Sequence, residues 1–355
     1  MCYKGFNCER YRRQATALRW SQVKVNLRLI HKLSVCGFLA VAMLATRQLS
    51  AQHLTLEGQT GGFLTPTAYV VESAKGKVFS HPAVGYHFID ASKVIGDIQT
   101  FSIVEGFSNR AEIGYTRSVH TFGDSGSSTI LDLSKLWNYD GMNIVSGKIV
   151  AIKDGEFGPW TPGIAAGGIV RFGDKFVSTA ISQELGGSAN AYTNGDVYIA
   201  ATKTWAKPPV PFLANIGWKA TNATIFGIGG QSTRFGGRFF GGLGIPLPLT
   251  HGIVAVPSAG FTQEPKTSKN LSALLFAPPT YTTHDNAHIP TTLDYAVRVT
   301  QREHPHFAFD IGVGQVAGNI GATLVPTGIP AQPYAPMAVN LEARHVIGMG
   351  LSFRY

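Results

Sequence analysis

The sequence predicts an all-β protein, a single antiparallel transmembrane β-barrel of about twelve strands. Three observations predict it. The last fifteen residues alternate, with Leu341, Ala343, His345, Ile347, Met349, Leu351, Phe353 and Tyr355 on one face and Glu342, Arg344, Val346, Gly348, Gly350, Ser352 and Arg354 on the other. Side chains along a strand point to opposite faces, so this is a strand with lipid on one side and water on the other, ending on an aromatic as a closing strand does. Similar alternating segments recur along the chain. Beyond residue 51, finally, no apolar run approaches the ~20 residues of a membrane helix, and charged residues make up only 14% of the chain, so any membrane span must be a strand.

The chain begins with a segment of a different kind. Leu33 to Ala45 is an apolar run preceded by Arg28 and Lys32 and followed by Leu49-Ser50-Ala51-Gln52, the pattern of a secretory signal peptide cleaved after Ala51. Residues 1–51 are therefore expected to be a leader with an unusually long N-terminal region, which a start at Val23 or Val25 would shorten to ordinary size. Cys36 lies inside the apolar run rather than at its end, so a lipoprotein site is the weaker reading. Nine of the 30 Lys and Arg residues but only one of the 21 acidic residues fall in this leader, so the net charge of +9 belongs to it and the remainder is balanced. A nucleic-acid partner is excluded on that ground, since the footprint of such proteins is a basic patch on the folded domain. Cys2, Cys8 and Cys36 also leave with the leader, which removes thiol chemistry and thiolate metal sites from consideration.

Residues 52–83 read as an N-terminal segment, periplasmic or lumen-facing, and 84–355 as the barrel. Strands are expected near 84–89, 94–104, 108–119, 143–153, 163–172, 193–205, 211–221, 235–246, 251–261, 292–302, 305–317 and 341–355. Most supply the roughly 9 to 11 residues that a tilted spanning strand requires. Connections are short at Glu105-Gly106-Phe107 and Gln301 to His304, and long at 120–142, 173–192, 262–291 and 318–340, the asymmetry of an outer-membrane barrel with its long loops outside the cell. Tyr115, Trp205, Trp218, Phe235, Phe261 and Tyr355 are expected near strand ends, at the lipid headgroups. A soluble sandwich is the alternative that shares the period of two.

Parity assigns the lumen side. In 108–119, Glu112 opposes Ile113 and Tyr115; in 211–221, Lys219 opposes Ile216 and Trp218; in 305–317, Asp310 opposes Phe309 and Ile311. The lumen-facing candidates are Glu112, Arg171, Lys219, Arg238, Asp294, Arg298, Asp310, Glu342, Arg344 and Arg354. Mixed signs inside a narrow barrel either pair and brace the wall or form a constriction that filters solutes. Asp294, Arg298 and Asp310 are expected to share one patch, and an arginine at Ser352 is expected to be far milder than one at Leu351. Phe353 and Tyr355 are the expected assembly signal.

Other constellations carry less. His284, Asp285 and His288, with His304 and His306 nearby, lie among prolines without helical period, so a solvated loop is favoured over zinc, and no metal or other cofactor is expected. The glycines at 227–244 lack the lysine and the strand-to-helix context of a phosphate loop and read as small residues on a curved wall. A hydrolase would need a serine, a histidine and an acid together, and nothing resembles a nucleophile elbow.

Glu57 to Ala68 (EGQTGGFLTPTA), Tyr198 to Lys203, Ala220 to Thr224, Phe261 to Lys266 and Asp310 to Gly318 resemble an uncharacterised family of Gram-negative outer-membrane barrels, a domain of unknown function without assigned catalytic residues. The resemblance covers nearly all of the chain beyond the leader. The Thr-Gly-Gly-x-x-Thr-Pro-Thr-Ala phrase is also similar to the start of barrels associated with exopolysaccharide secretion. Physically it is a Gly-Gly turn followed by an extended X-Pro segment, which would precede the first strand as a plain turn, lie on the periplasmic rim, or enter the barrel and narrow it.

The resulting expectation is a non-enzymatic protein of the bacterial outer membrane. It would be a narrow pore for small polar solutes or a conduit linked to envelope polysaccharide. The alternatives are a structural or adhesive barrel with a plugged lumen and, less favoured, a hydrolase. Its partners would be outer-membrane lipid, the barrel assembly machinery, and small polar solutes or polysaccharide.

Overall fold

A computed structural model describes residues 53–354 except 75, 91–96, 121–140, 174–192, 207–210, 224–230, 266–290, 302–306 and 331; side chains at 120, 231–233, 317, 319–329 and 332–344 are likewise not described. Residues 53–205 and 212–354 belong to one compact unit.

Among the described residues, alternation of apolar and small or polar residues produces thirteen strands in a single sheet. They are β1 (Ala83–Asp90), β2 (Asp97–Phe107), β3 (Ala111–His120), β4 (Gly141–Ile152), β5 (Gly163–Gly173), β6 (Thr193–Trp205), β7 (Phe212–Ala223), β8 (Gln231–Gly244), β9 (Leu247–Pro248), β10 (Ile253–Gln263), β11 (Thr291–Gln301), β12 (Phe307–Ile329) and β13 (Gln332–Arg354). β9 is a two-residue strand beside β10. The other twelve pair antiparallel in chain order, and β13 returns to β1 from Ala83↔Arg354 to Asp90↔Ile347, which closes the barrel.

The two faces of the wall are inverted relative to a soluble protein. Ile113, Ile149, Val197, Ile199, Ile216 and Ile347 stand outward and exposed, while Glu112, Lys148, Arg171, Thr202 and Asp310 are buried within. An apolar outside around a polar inside is the arrangement of a barrel with lipid as its outer solvent.

Three expectations need correction. The β2–β3 turn lies at 108–110, not at 105–107. Arg110 N–H donates to the Phe107 carbonyl at 2.9 Å, and Ser108 (φ 51°) and Asn109 (φ 55°) both adopt left-handed backbone, a conformation asparagine tolerates. Tyr115 and Trp218 lie mid-strand rather than at strand ends. The Tyr115 hydroxyl donates to Asn143 Oδ1 at 2.8 Å, so its polar end is satisfied on the neighbouring strand.

The third correction concerns 318–340, which is not a loop. β12 pairs with β11 as far as Val316, and β13 with β1 as far as Ile347; beyond these points the two arms continue as one hairpin to Ile329↔Gln332. Pro326 and Pro336 suggest a loop in the sequence. They are tolerated because each arm has an open outer edge that requires no ladder donor. Thirteen residues at ~3.3 Å each carry the hairpin roughly 40 Å past the wall.

Candidate functional site inside the barrel

The interior is occupied by the chain itself. Residues 53–71 form a compact irregular segment within the lumen. Gly58 (φ 78°) makes its first reversal, with its N–H on the Thr55 carbonyl at 2.9 Å, and Gly61 N–H donates to His53 O at 2.8 Å. Gly62 N–H closes the second reversal on Thr65 O at 2.8 Å. A Cβ on Gly61 would stand 2.3 Å from Thr65 O, so this glycine is required by close approach. Leu56, Phe63 and Leu64 pack against Ile89, Ile98 and Ala296 of the wall, and Leu54 and Val71 against Ala83 and Val104.

Three charged groups of the wall hold the segment. Glu112 (β3) and Lys148 (β4) are register partners and an ion pair at 3.0 Å. Glu112 accepts hydrogen bonds from Thr60 N–H at 3.0 Å, the Thr60 hydroxyl at 2.6 Å and Val71 N–H at 3.1 Å. Lys148 donates to the carbonyls of Thr60 (2.8 Å) and Thr67 (3.0 Å). Arg171 (β5) lies between two carboxylates, donating to Glu57 of the segment at 2.9 Å and to Asp196 of β6 at 2.7 Å. Arg298 (β11) pairs with Asp310 (β12) at 2.7 Å and donates its remaining nitrogen to Gly61 O at 3.1 Å.

The way out of the lumen is also tied. Ala68 N–H donates to Thr202 Oγ1 at 2.7 Å, the Asn215 amide to Pro66 O at 3.0 Å, and the Tyr69 hydroxyl to Asp154 at 2.9 Å. Asp154 sits in the β4–β5 turn, where hydrogen bonds from Arg110 and then from Lys153 N–H hold the exposed Glu156 carboxyl below the ordinary carboxylate range. Arg354 donates to Glu72 O as the chain leaves the barrel.

Of the residues singled out by parity, Glu112, Arg171, Arg298 and Asp310 thus meet the segment or brace a residue that does. Lys219 is buried near Asp196. Arg238 spans to Glu264 O at 3.0 Å at the long-loop end. Asp294 is buried on the same wall as Arg298. Phe353 is on the outer face. The side chains of Glu342 and Arg344, all of Tyr355, and the histidines at 284, 288, 304 and 306 with Asp285 lie outside the described residues. Glu57, Lys148 and Asp196 were not anticipated. Asp196 was findable, because Val197 and Ile199 face outward on either side of its parity; Lys148 shares its face with Met142 and Ile144, which conceals it.

The segment does not fill the lumen evenly. Against β7, β8, β10 and β11 it leaves a cavity of about 70 Å³, whose lining includes Gly61, Thr65, Asn215, Gly242, Gly260 and Asp294. A smaller one of about 20 Å³ lies beyond it, between Glu57, Pro66, Lys219 and Phe240.

Arg298→Glu tests the third contact. It places two carboxylates together at Asp310 and removes the donor to Gly61 O. Breaking a buried pair in this way costs about 3–5 kcal/mol. The temperature at which the folded, fast-migrating form is lost on a gel is expected to fall, and an unchanged temperature would mean that Arg298 does not hold the segment.

No protein-family model matches the chain, and no curated protein matches it. Among solved structures it is similar to the KdgM porin (8% identity, TM-score 0.40, covering 77% of this chain and 99% of that one). It is similar also to the NanC porin (11%, 0.39, 77% and 100%). LpxR from Salmonella typhimurium is a third (9%, 0.42, 77% and 100%). At these values the likeness goes no further than barrel architecture, and no functional reading rests on it.

Proposed function

We propose that the protein is a non-enzymatic barrel of the bacterial outer membrane, held closed by its own N-terminal segment. The observation that carries this reading is the burial of residues 53–71 inside the wall, hydrogen-bonded to side chains of β3, β4, β5, β6, β7 and β11. An aqueous route through the centre is thereby removed. The apolar outer face supports the membrane location, and lipid is its first partner.

A second reading is supported by the uneven filling. A narrow passage for small polar solutes would run along the β7–β11 side, where the cavity lies. Passage of an envelope polysaccharide needs far more than about 70 Å³ and would require the segment to withdraw.

Membrane fractionation with heat-modifiable gel mobility tests the location, and planar bilayers test the closed state. The wild-type protein is expected to give no large steady conductance. A steady current like that of an open porin would overturn the closed-lumen reading.

A further inference from the structure

The cavity beside β8 and β10 follows from small residues at consecutive inward positions. The inner face of β8 carries Phe240, Gly242 and Gly244, and that of β10 carries Ser258 and Gly260, so the wall recedes where the segment does not follow it. Asp294 projects from β11 into this space. Its register partners on both sides are glycines, Gly260 and Gly314, so no partner side chain covers its carboxylate, which lies against the bare backbone of Gly260. The residue is 3% exposed, and among the described residues its Oδ1 has no hydrogen-bond partner. A buried carboxylate without a partner is costly, and such groups ordinarily have a counter-charge.

Arg298 lines the same cavity and its charge acts on Asp294, but it gives Asp294 no hydrogen bond. Its guanidinium is spent on Asp310 and on Gly61 O. The Ser258 hydroxyl donates to Ala296 O at 3.3 Å, which leaves its oxygen free to accept, and Ser258 lies diagonally across from Asp294 on the same face. The space thus offers a carboxylate without a hydrogen-bond partner among the described residues, and a second acceptor. Its volume holds a few water-sized groups and no sugar ring.

We propose that this cavity is a binding site for a compact monocation with N–H donors, of the size of methylammonium, with Asp294 as its counter-charge and Ser258 as a second acceptor. The site deepens the narrow-passage reading and rests on it. By their places at the short-turn ends of β6 and β7, Thr204 and Leu213 mark the mouth, and Asp294 is the inner terminus.

The test uses folded, detergent-solubilised protein and the temperature at which its fast-migrating form is lost. Methylammonium chloride is expected to raise that temperature in a concentration-dependent manner, because a ligand that binds only the folded state stabilises it. Tetramethylammonium chloride at equal ionic strength, bulkier and without N–H donors, is expected not to. Asp294→Asn preserves shape and should abolish the response; Ser258→Ala should reduce it by half or more. The proposal is overturned by no shift in the wild type, by equal shifts with both salts, or by a full response in Asp294→Asn. If Asp294→Asn yields no folded barrel, an undiminished response in Ser258→Ala overturns it instead. Conductance tests the passage separately: methylammonium stabilisation in a barrel that passes no current at all would overturn the passage and leave the site.

Discussion

Arg171→Met is expected to turn a closed barrel into a conducting one. Arg171 stands between Glu57 on the inner segment and Asp196 on the wall, both buried. Removal of the guanidinium leaves two carboxylates facing each other without the hydrogen bonds that joined them, with Lys219 near Asp196 as the remaining cation. The cost of breaking a buried pair is about 3–5 kcal/mol, and most of it is relieved if Glu57 moves away into water. Because Glu57 belongs to the segment and Asp196 to a paired strand, the segment is what moves. Planar-bilayer recordings should show larger or more frequent openings, and protease added to the folded protein should cut within residues 53–71. Glu57→Gln should have a smaller effect, since Arg171 keeps Asp196. Wild-type conductance and protease resistance in Arg171→Met would show that this contact does not hold the lumen closed.

Leu351→Arg and Ser352→Arg are neighbours on β13 with opposite surroundings. Leu351 is exposed on the outer face, so an arginine there meets lipid at a cost of roughly 2–4 kcal/mol near mid-membrane and should sharply reduce assembled protein. Ser352 is 5% exposed, flanked in register by Gly85 and Ala308, and Leu54 of the inner segment packs on Gly85. The sequence-based expectation of a mild effect at Ser352 therefore needs revision. An arginine there enters space that the segment already occupies and must displace it. Its expected signature is raised conductance in barrels that still assemble, whereas Leu351→Arg gives fewer barrels of ordinary conductance. The same outcome for both substitutions would break the facing assigned to this strand.

The wall was legible because period two and lipid leave an unambiguous mark. Ile113 and Tyr115 opposite Glu112, or Ile311 opposite Asp310, can face only one way. The β12–β13 hairpin was hidden by Pro326 and Pro336, which exclude a central strand but not an arm with a free edge. The inner segment was harder to read. Its shape comes from Gly58, Gly61 and Gly62 and from hydrogen bonds to wall residues more than fifty positions away, such as Thr60 to Glu112, and such contacts leave no periodic trace. Glu57 lies in a phrase without alternation, so nothing local distinguishes it from a solvated acid. Most of the wall charges that hold the segment could be listed by parity, Lys148 excepted, but what they hold could not.

Closure of the wall by β1 on β13 has a consequence for the order of assembly. Ala83↔Arg354 joins the first strand to the last, the contact of greatest sequence separation in the ladder and hence one of the slowest to form. The inner segment precedes β1, with residues 72–82 between them, and it is anchored to strands on opposite sides of the ring, β5 and β11 among them. Once the seam has formed, no side opening remains through which it could reach those anchors, and entry would have to be end-on past the rim. The nascent barrel is therefore expected to fold around the segment as a template, with Glu57, Thr60 and Gly61 engaged while the β1–β13 edge is still open. In that sequence of events, residues 53–71 act first as an internal chaperone for their own wall and only afterwards as its stopper.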